Sequence, residues 1–247
     1  MSTGPEAFVP ILVIPVFNEA ETIGEVVAAA RAHAPVLVVD DGSEDESAAI
    51  ARRAGAEVFR HPRRLGKGQA IRTGVAAARS RGASVVVTLD GDGQHDPGDL
   101  AAVLGAARRT PGAIVAGSRL AEPSALEPDR LNAIRVAGFF VNWASGLALT
   151  DTQSGYRAYP VTLFDEVELR HGGFVLETEV LIAAAGATLA APGLLVLLAL
   201  QALAPRWFPD VVTPLVQRLC SQTRLDPARE PEHGPLVTLA APPKAPR

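Results

Sequence analysis

Short apolar runs alternate with amphipathic stretches through the first half of the chain, a rhythm that predicts β-α-β units around a mainly parallel sheet. Phe8 to Pro15 reads as the first strand. Asn18, with Glu21 three positions on, opens a helix reaching about His33, and Val36 to Val39 is the second strand. Ser43 and Glu46 have the capping-box spacing for the next helix. A short strand around Glu57 to Arg60, a helix from Lys67 to Arg81 and a strand from Ser84 to Leu89 follow. A helix from Pro97 to Arg109 and a strand from Ala113 to Ala116 complete the series. Strand ends therefore carry Pro15, Asp40-Asp41, Asp90 to Asp92 and Gly117-Ser118-Arg119, so charged residues recur there. In open α/β sheets that edge is where ligands bind.

Beyond Arg119 the pattern changes. Ala121 to Pro128 reads as a loop, Arg130 to Leu149 as an amphipathic or interfacial helix, and Val180 to Ala204 carries no charged residue. That uncharged stretch exceeds the roughly 20 residues a spanning helix needs, yet it is alanine-rich and broken at Pro192-Gly193. It reads as a membrane-associated or re-entrant segment, with a buried helix pair as the alternative. The proline- and charge-rich end reads as unstructured. The organisation expected is a catalytic α/β domain over residues 1–181, an apolar or amphipathic helical segment over 182–225 and a tail over 226–247.

With 247 residues, 48% of them hydrophobic, the chain can bury one substantial core. A formal charge of −4 argues against a nucleic-acid partner, although Arg60, Arg63, Arg64 and Lys67 form a local basic group able to receive phosphates. The single cysteine, Cys220, excludes an intrachain disulfide and a cysteine-based metal site, and it fits a reducing cytoplasm. Met1 to Ala7 show neither the basic nor the apolar region of a signal peptide.

The candidate chemistry centres on Asp90-Gly91-Asp92-Gly93-Gln94-His95, directly after the Ser84 to Leu89 strand. Alternate residues of an extended segment point the same way, so Asp90, Asp92 and Gln94 can converge as hard oxygen ligands for Mg²⁺ or Mn²⁺. The same stretch also reads as a cap, because Asp96, Pro97 and Asp99 suit a helix start. His95 reads as a packed residue. Gly66-Lys67-Gly68 lets backbone approach a phosphate while the lysine supplies charge, but it lacks the Walker spacing. Asp41 and Asp45 read first as turn and cap residues.

Taken in order, Ile14 to Glu19, Asp40 to Asp45, the Gly-Lys-Gly turn, Asp90 to His95, Gly117-Ser118-Arg119 and Asp151 to Arg157 resemble the inverting family 2 glycosyltransferases. Among those, the chain is most similar to the dolichyl- or polyprenyl-phosphate mannosyl- and glucosyltransferases, over about Pro10 to Leu181. The resemblance implies a GT-A fold, a Rossmann-like sheet that binds a nucleotide sugar of the GDP-mannose or UDP-glucose type. It implies that Pro15, Phe17 and Glu19 lie along the nucleoside, that Asp40 contacts base or ribose, and that Asp90, Gly91, Asp92, Gln94 and Lys67 surround the diphosphate and its metal. Arg119 would meet phosphate. Phe17 stands where tyrosine is usual, and Arg64 where asparagine is frequent.

The function expected is metal-dependent transfer of a hexose, with inversion, to a polyprenyl phosphate at the cytoplasmic face of a membrane. Such an acceptor is already an anion and needs cationic positioning, for which Arg119, Arg135 and Arg157 are the candidates. A sugar or small-molecule hydroxyl would instead need a base, Glu177 or Glu179. A third possibility is a catalytically impaired nucleotide-sugar-binding subunit, since the uncharged run after Leu181 replaces the basic segment the resemblance leads one to expect.

Overall fold

The computed structural model describes residues 7–93, 97–118, 128–145, 149, 151–166, 175–184 and 237–240. Strands β1 (Pro10–Val16), β2 (Val36–Asp40), β3 (Glu57–Arg60), β4 (Val85–Thr88), β5 (Val115–Ser118), β6 (Arg157–Pro160) and β7 (Val237–Ala240) form one sheet in the order β3-β2-β1-β4-β6-β5-β7. All strands run parallel except β6, which pairs antiparallel with both β4 and β5. The helices are α1 (Ile23–Ala30), α2 (Ser47–Arg53), α3 (Lys67–Arg79), α4 (Leu100–Arg109), α5 (Pro128–Ser145), α6 (Leu163–Glu166) and α7 (Val175–Ala184). A single 3-10 turn at Pro97–Asp99 precedes α4.

The near-continuous apolar text of β1 follows from burial on both faces, the usual state of a parallel strand covered by helices. Leu12, Ile14 and Val16 pack on one side with Ile23 and Val27 of α1 and Leu100 of α4. Ile11 and Val13 face the other side, with Ile71 and Val75 of α3 and Leu176 of α7. The chain travels from β1 outward to β3, then returns to lay β4 against the opposite edge of β1. Strand order therefore reverses between β1 and β4, and the crevice at their carboxyl ends is the natural ligand position of such a sheet.

The expected α/β architecture with a mainly parallel sheet is present, and three local features differ from expectation. Strand β6 was not anticipated, because four residues with Arg157 at their head give too little periodicity to mark a strand. The helices expected to open near Asn18 and Ser43 begin later, at Ile23 and Ser47, and neither has a side-chain cap bond. The segment expected to run as one helix from Pro97 starts instead as the 3-10 turn.

Of the uncharged stretch, only Val180 to Ala184 falls within the described residues, as the end of α7. The remainder of 182–225 lies outside them. Of the segment 226–247, read above as unstructured, Val237–Ala240 pairs with β5 as β7. Among the described residues no helix is long and apolar enough to cross a membrane.

Candidate active site

The loops after β1 and β2 are laced together by the residues whose spacing had pointed to helix caps. Asn18 takes a positive φ of 56°, a conformation asparagine tolerates better than most residues. Its N–H donates to Ser43 Oγ at 3.0 Å, and its Oδ1 accepts from the Glu44 N–H at 2.8 Å. Glu19 N–H donates to Ser47 Oγ at 2.8 Å, and Ala20 N–H to Asp45 Oδ2 at 3.1 Å. Side chains able to cap their own helices serve the neighbouring loop instead, which fixes the Pro15 to Glu19 segment against the Asp40 to Asp45 turn. Pro15 is buried at the end of β1, and Phe17 is half-buried with the Arg64 guanidinium 4.1 Å above its ring centroid.

Asp40 is closed to solvent at 0% exposure, with Oδ1 accepting from the Ser43 N–H at 2.9 Å. Its Oδ2 makes an ion pair with Arg60 Nε at 3.1 Å but no aligned hydrogen bond, so that oxygen keeps acceptor capacity. Direct contact between Asp40 and a base would require the turn after β2 to move.

At the carboxyl ends of β1 and β4 the structure gathers one cation and several carboxylates. Lys67, the first residue of α3, reaches Asp90 Oδ1 at 2.7 Å and Glu177 Oε1 of α7 at 3.0 Å. Burial alone would pull the Lys67 ammonium down, but the Glu177 and Asp90 carboxylates outweigh it and raise its pKa above the usual lysine value. The backbone passes close to this pair at Gly155: a Cβ there would lie 2.6 Å from Asp90 Oδ2 and 3.0 Å from Lys67 Nζ. Thr88 Oγ1 donates to the Gly155 carbonyl at 2.8 Å and holds that approach. On the other flank, a Cβ on Gly91 would collide with Glu19 Oε2, so the Glu19 carboxylate lies directly over the glycine. Thr22 Oγ1 donates to the Gly91 carbonyl at 2.6 Å. Burial, then the charges of Asp92 and Asp90, push the Glu19 carboxyl from 4.5 up to about 7.

This crowding is a test of the predicted metal. Glu19 Oε2 is buried with no hydrogen-bond partner, in the field of two aspartates, a state that a divalent cation would stabilise. Among the described residues no three His, Cys, Asp or Glu side chains converge on one point. That still suits a cation shared with phosphate, because Mg²⁺ is commonly held by one or two carboxylates together with substrate phosphates. Asp92 lies partly exposed on the turn after β4, and Asp90 is ion-paired to Lys67.

The arginines divide. Arg157 is 0% exposed, and its guanidinium donates to three backbone carbonyls: Ser154 at 2.7 Å, Glu177 at 2.7 Å and Thr152 at 2.8 Å. This corrects its expected part as a phosphate clamp, for its donors face inward and hold α7 to the 152–155 turn. Arg135 is exposed on α5, and Phe139 and Trp143 follow at four-residue steps along the same helix face, with Trp143 47% exposed. Arg119, Gln94 and His95 lie outside the described residues. Glu177 belongs to the charged centre although the sequence offered it only as a base for hydroxyl acceptors; its position on a mainly apolar stretch carried no signal of a partner in α3.

The family model described as Glycosyl transferase family 2 matches residues 11–167. The chain is 35% identical over 177 residues to glycosyltransferase AglJ of Haloferax volcanii, covering 69% of this chain and 56% of the relative. It is 29% identical over 177 residues to the polyprenol monophosphomannose synthase of Mycolicibacterium smegmatis, covering 64% of each. The chain thus spans about 56 to 64% of the length of these curated relatives. In fold it is similar to the glucosyl-3-phosphoglycerate synthase of Mycobacterium tuberculosis, crystallised with Mn²⁺, UDP and glucosyl-3-phosphoglycerate. The TM-score is 0.56 at 21% identity, covering 83% of this chain and 82% of that one.

Proposed function

Because the chain belongs to glycosyl transferase family 2 and is a glycosyltransferase, we propose that it moves a hexose from a nucleoside-diphosphate sugar to a polyprenyl monophosphate, with inversion. The observation that carries this reading is the Lys67–Asp90 ion pair, with Glu19 in the field of Asp90 and Asp92, at the reversal of strand order between β1 and β4. A Mg²⁺ or Mn²⁺ ion held by Asp92 and Asp90, with Gln94 as the further ligand offered by the sequence, would neutralise charge on the diphosphate. Lys67, kept protonated by Glu177 and Asp90, supplies a second positive charge to the departing group. Pro15, Phe17 and Arg64 form the wall along which the nucleoside lies, and Gly91 leaves room for the carboxylate of Glu19.

A phosphate acceptor needs no base, and the site is consistent with that. Glu177, one of the two carboxylates offered as a base for a hydroxyl acceptor beside Glu179, is 7% exposed and tied to Lys67. The relative from Mycolicibacterium smegmatis is named a polyprenol monophosphomannose synthase, which supports the lipid acceptor. An acceptor of that kind would be met at the cytoplasmic face of a membrane, with the exposed Arg135 and Trp143 of α5 as contacts and Arg119 assigned to its phosphate by the sequence motif alone. The test is purified protein with Mn²⁺ or Mg²⁺, labelled GDP- and UDP-hexoses and short polyprenyl phosphates, read by organic extraction. Label in the organic phase, and a rise of about tenfold in acceptor KM for Arg135→Ala with donor KM unchanged, is the expected result. Transfer only to soluble sugars, lost on Glu177→Gln, would replace the lipid phosphate by a hydroxyl acceptor.

A further inference from the structure

Lys67 depends for its position on a buried unit that the motif reading had left as turn chemistry. Asp41 is 3% exposed, and both of its carboxylate oxygens are used. Oδ1 accepts from the Leu65 N–H at 2.8 Å and lies 2.7 Å from His61 Nδ1, while Oδ2 accepts from the Gly66 N–H at 2.7 Å. The Asp41 N–H is anchored in turn on the Val16 carbonyl at 2.8 Å, at the end of β1. Gly66 is the cap position of α3 and has no side chain with which to cap it. The donor of the cap residue, with that of Leu65 before it, is therefore taken by a carboxylate from the turn after β2, where a negative charge is also favoured by the helix dipole.

His61 completes the unit. It is 8% exposed at the end of β3, with its N–H bonded to the Asp40 carbonyl at 2.9 Å. Its Nε2 lies 3.0 Å from Thr73 Oγ1, in the second turn of α3. With Nδ1–H donating to the carboxylate, Nε2 accepts from the threonine hydroxyl, and the ring is fixed at both ends. Strands β1, β2 and β3 thereby grip α3 at Gly66 and at Thr73. Lys67 begins between those two points and extends to Asp90 and Glu177.

We propose that Asp41 and His61 are positioning residues for Lys67, setting where its ammonium meets the donor's diphosphate. This rests on the reading of Lys67 as a phosphate-facing group. A burial site serving stability alone would leave phosphate discrimination unchanged when altered, whereas this arrangement couples the buried carboxylate to one particular ammonium.

The experiment is calorimetric binding of UDP and GDP, each against UMP and GMP, in Mn²⁺, to full-length wild type, Asp41→Asn, Lys67→Ala and the double variant. Thermal unfolding checks that each is folded. For whichever diphosphate the wild type prefers, Lys67→Ala and Asp41→Asn should each weaken binding about tenfold, and the matching monophosphate by less than about twofold, the scale of one charge-assisted contact. The double variant should bind no worse than Lys67→Ala, because residues acting through one another are non-additive. Multiplying losses, or equal losses for mono- and diphosphate in Asp41→Asn, overturn the positioning role while leaving Lys67 on the phosphate. An unchanged diphosphate affinity in Lys67→Ala removes the phosphate reading and this proposal with it. Should Asp41→Asn not fold, His61 carries the same test. His61→Asn keeps a donor toward Asp41 and should stay within about twofold of wild type, whereas His61→Phe should lose about tenfold. Equal behaviour of those two variants counts against the unit.

Discussion

Replacing Arg157 by lysine separates a structural guanidinium from one that grips substrate. The native side chain donates to the carbonyls of Ser154, Glu177 and Thr152 at 2.7, 2.7 and 2.8 Å, in a site with 0% exposure. A lysine ammonium keeps the charge but presents a single point, so it keeps one of these three hydrogen bonds and loses two. Hydrogen bonds to charged groups are worth about 1.5 to 3 kcal/mol each, and local relaxation recovers part of the loss, giving a net cost of about 3 kcal/mol. That is a large share of the roughly 5 to 15 kcal/mol that holds a domain together. With a urea m-value of about 3 kcal/mol/M, the unfolding midpoint should fall by about 1 M. The assay is equilibrium urea unfolding followed by the fluorescence of the two tryptophans, alongside acceptor kinetics below the transition. Acceptor KM should stay within about twofold, since no donor of Arg157 points outward. A midpoint within about 0.3 M of wild type combined with an acceptor KM raised by about tenfold would refute the reasoning and return the guanidinium to the phosphate.

Asp92→Ala should reduce turnover by on the order of 10²-fold with the unfolding transition unchanged, and excess chelator should reduce the wild type similarly; full activity in chelator would remove the metal. Glu19 binds protons more tightly in the folded state, at about 7 against 4.5, so metal-free stability should fall as pH rises between those values. Full conversion of that difference would give roughly 3 kcal/mol, and solvent screening of the half-buried group lowers it to about 1 kcal/mol. Chemical denaturation at about pH 5 and about pH 7.5 reads the change, and a Glu19→Gln variant with the same pH slope as wild type would discount it. Gly155→Ala places a methyl 2.6 Å from Asp90 Oδ2 and should cost about 1 to 3 kcal/mol while raising donor KM. Wild-type donor kinetics in a stable Gly155→Ala protein would show that the Lys67–Asp90 pair is not part of donor binding.

Much of the scaffold was legible before any coordinates, because the features that announced it are local. Runs such as Ile11 to Val16 and Val36 to Val39 are apolar on both faces, and that pattern alone places them inside a parallel sheet. Chemistry-bearing residues such as Glu19, Asp40, Lys67, Asp90 and Asp92 stand where those runs end, so their gathering along one edge followed from the alternation of strands and helices. Local pattern failed wherever a polar group had a choice of partner. Asn18 and Ser43 have the spacing of helix caps, yet each finds its partner on the neighbouring loop, which only the pairing of β1 with β2 brings within reach. Asp41 was readable as a turn residue, but the donors at Leu65 and Gly66 that make it the cap of α3 become its neighbours only once β3 lies beside β2. Arg157 and Glu177 show the largest gap between pattern and fold. The antiparallel insertion of β6 beside β4 buries Arg157, and a buried guanidinium must spend its donors on whatever carbonyls surround it. Glu177 then comes to face Lys67 through the packing of α7 near α3, because a buried charge is stable only beside its opposite, and which opposite it meets is decided by the tertiary fold.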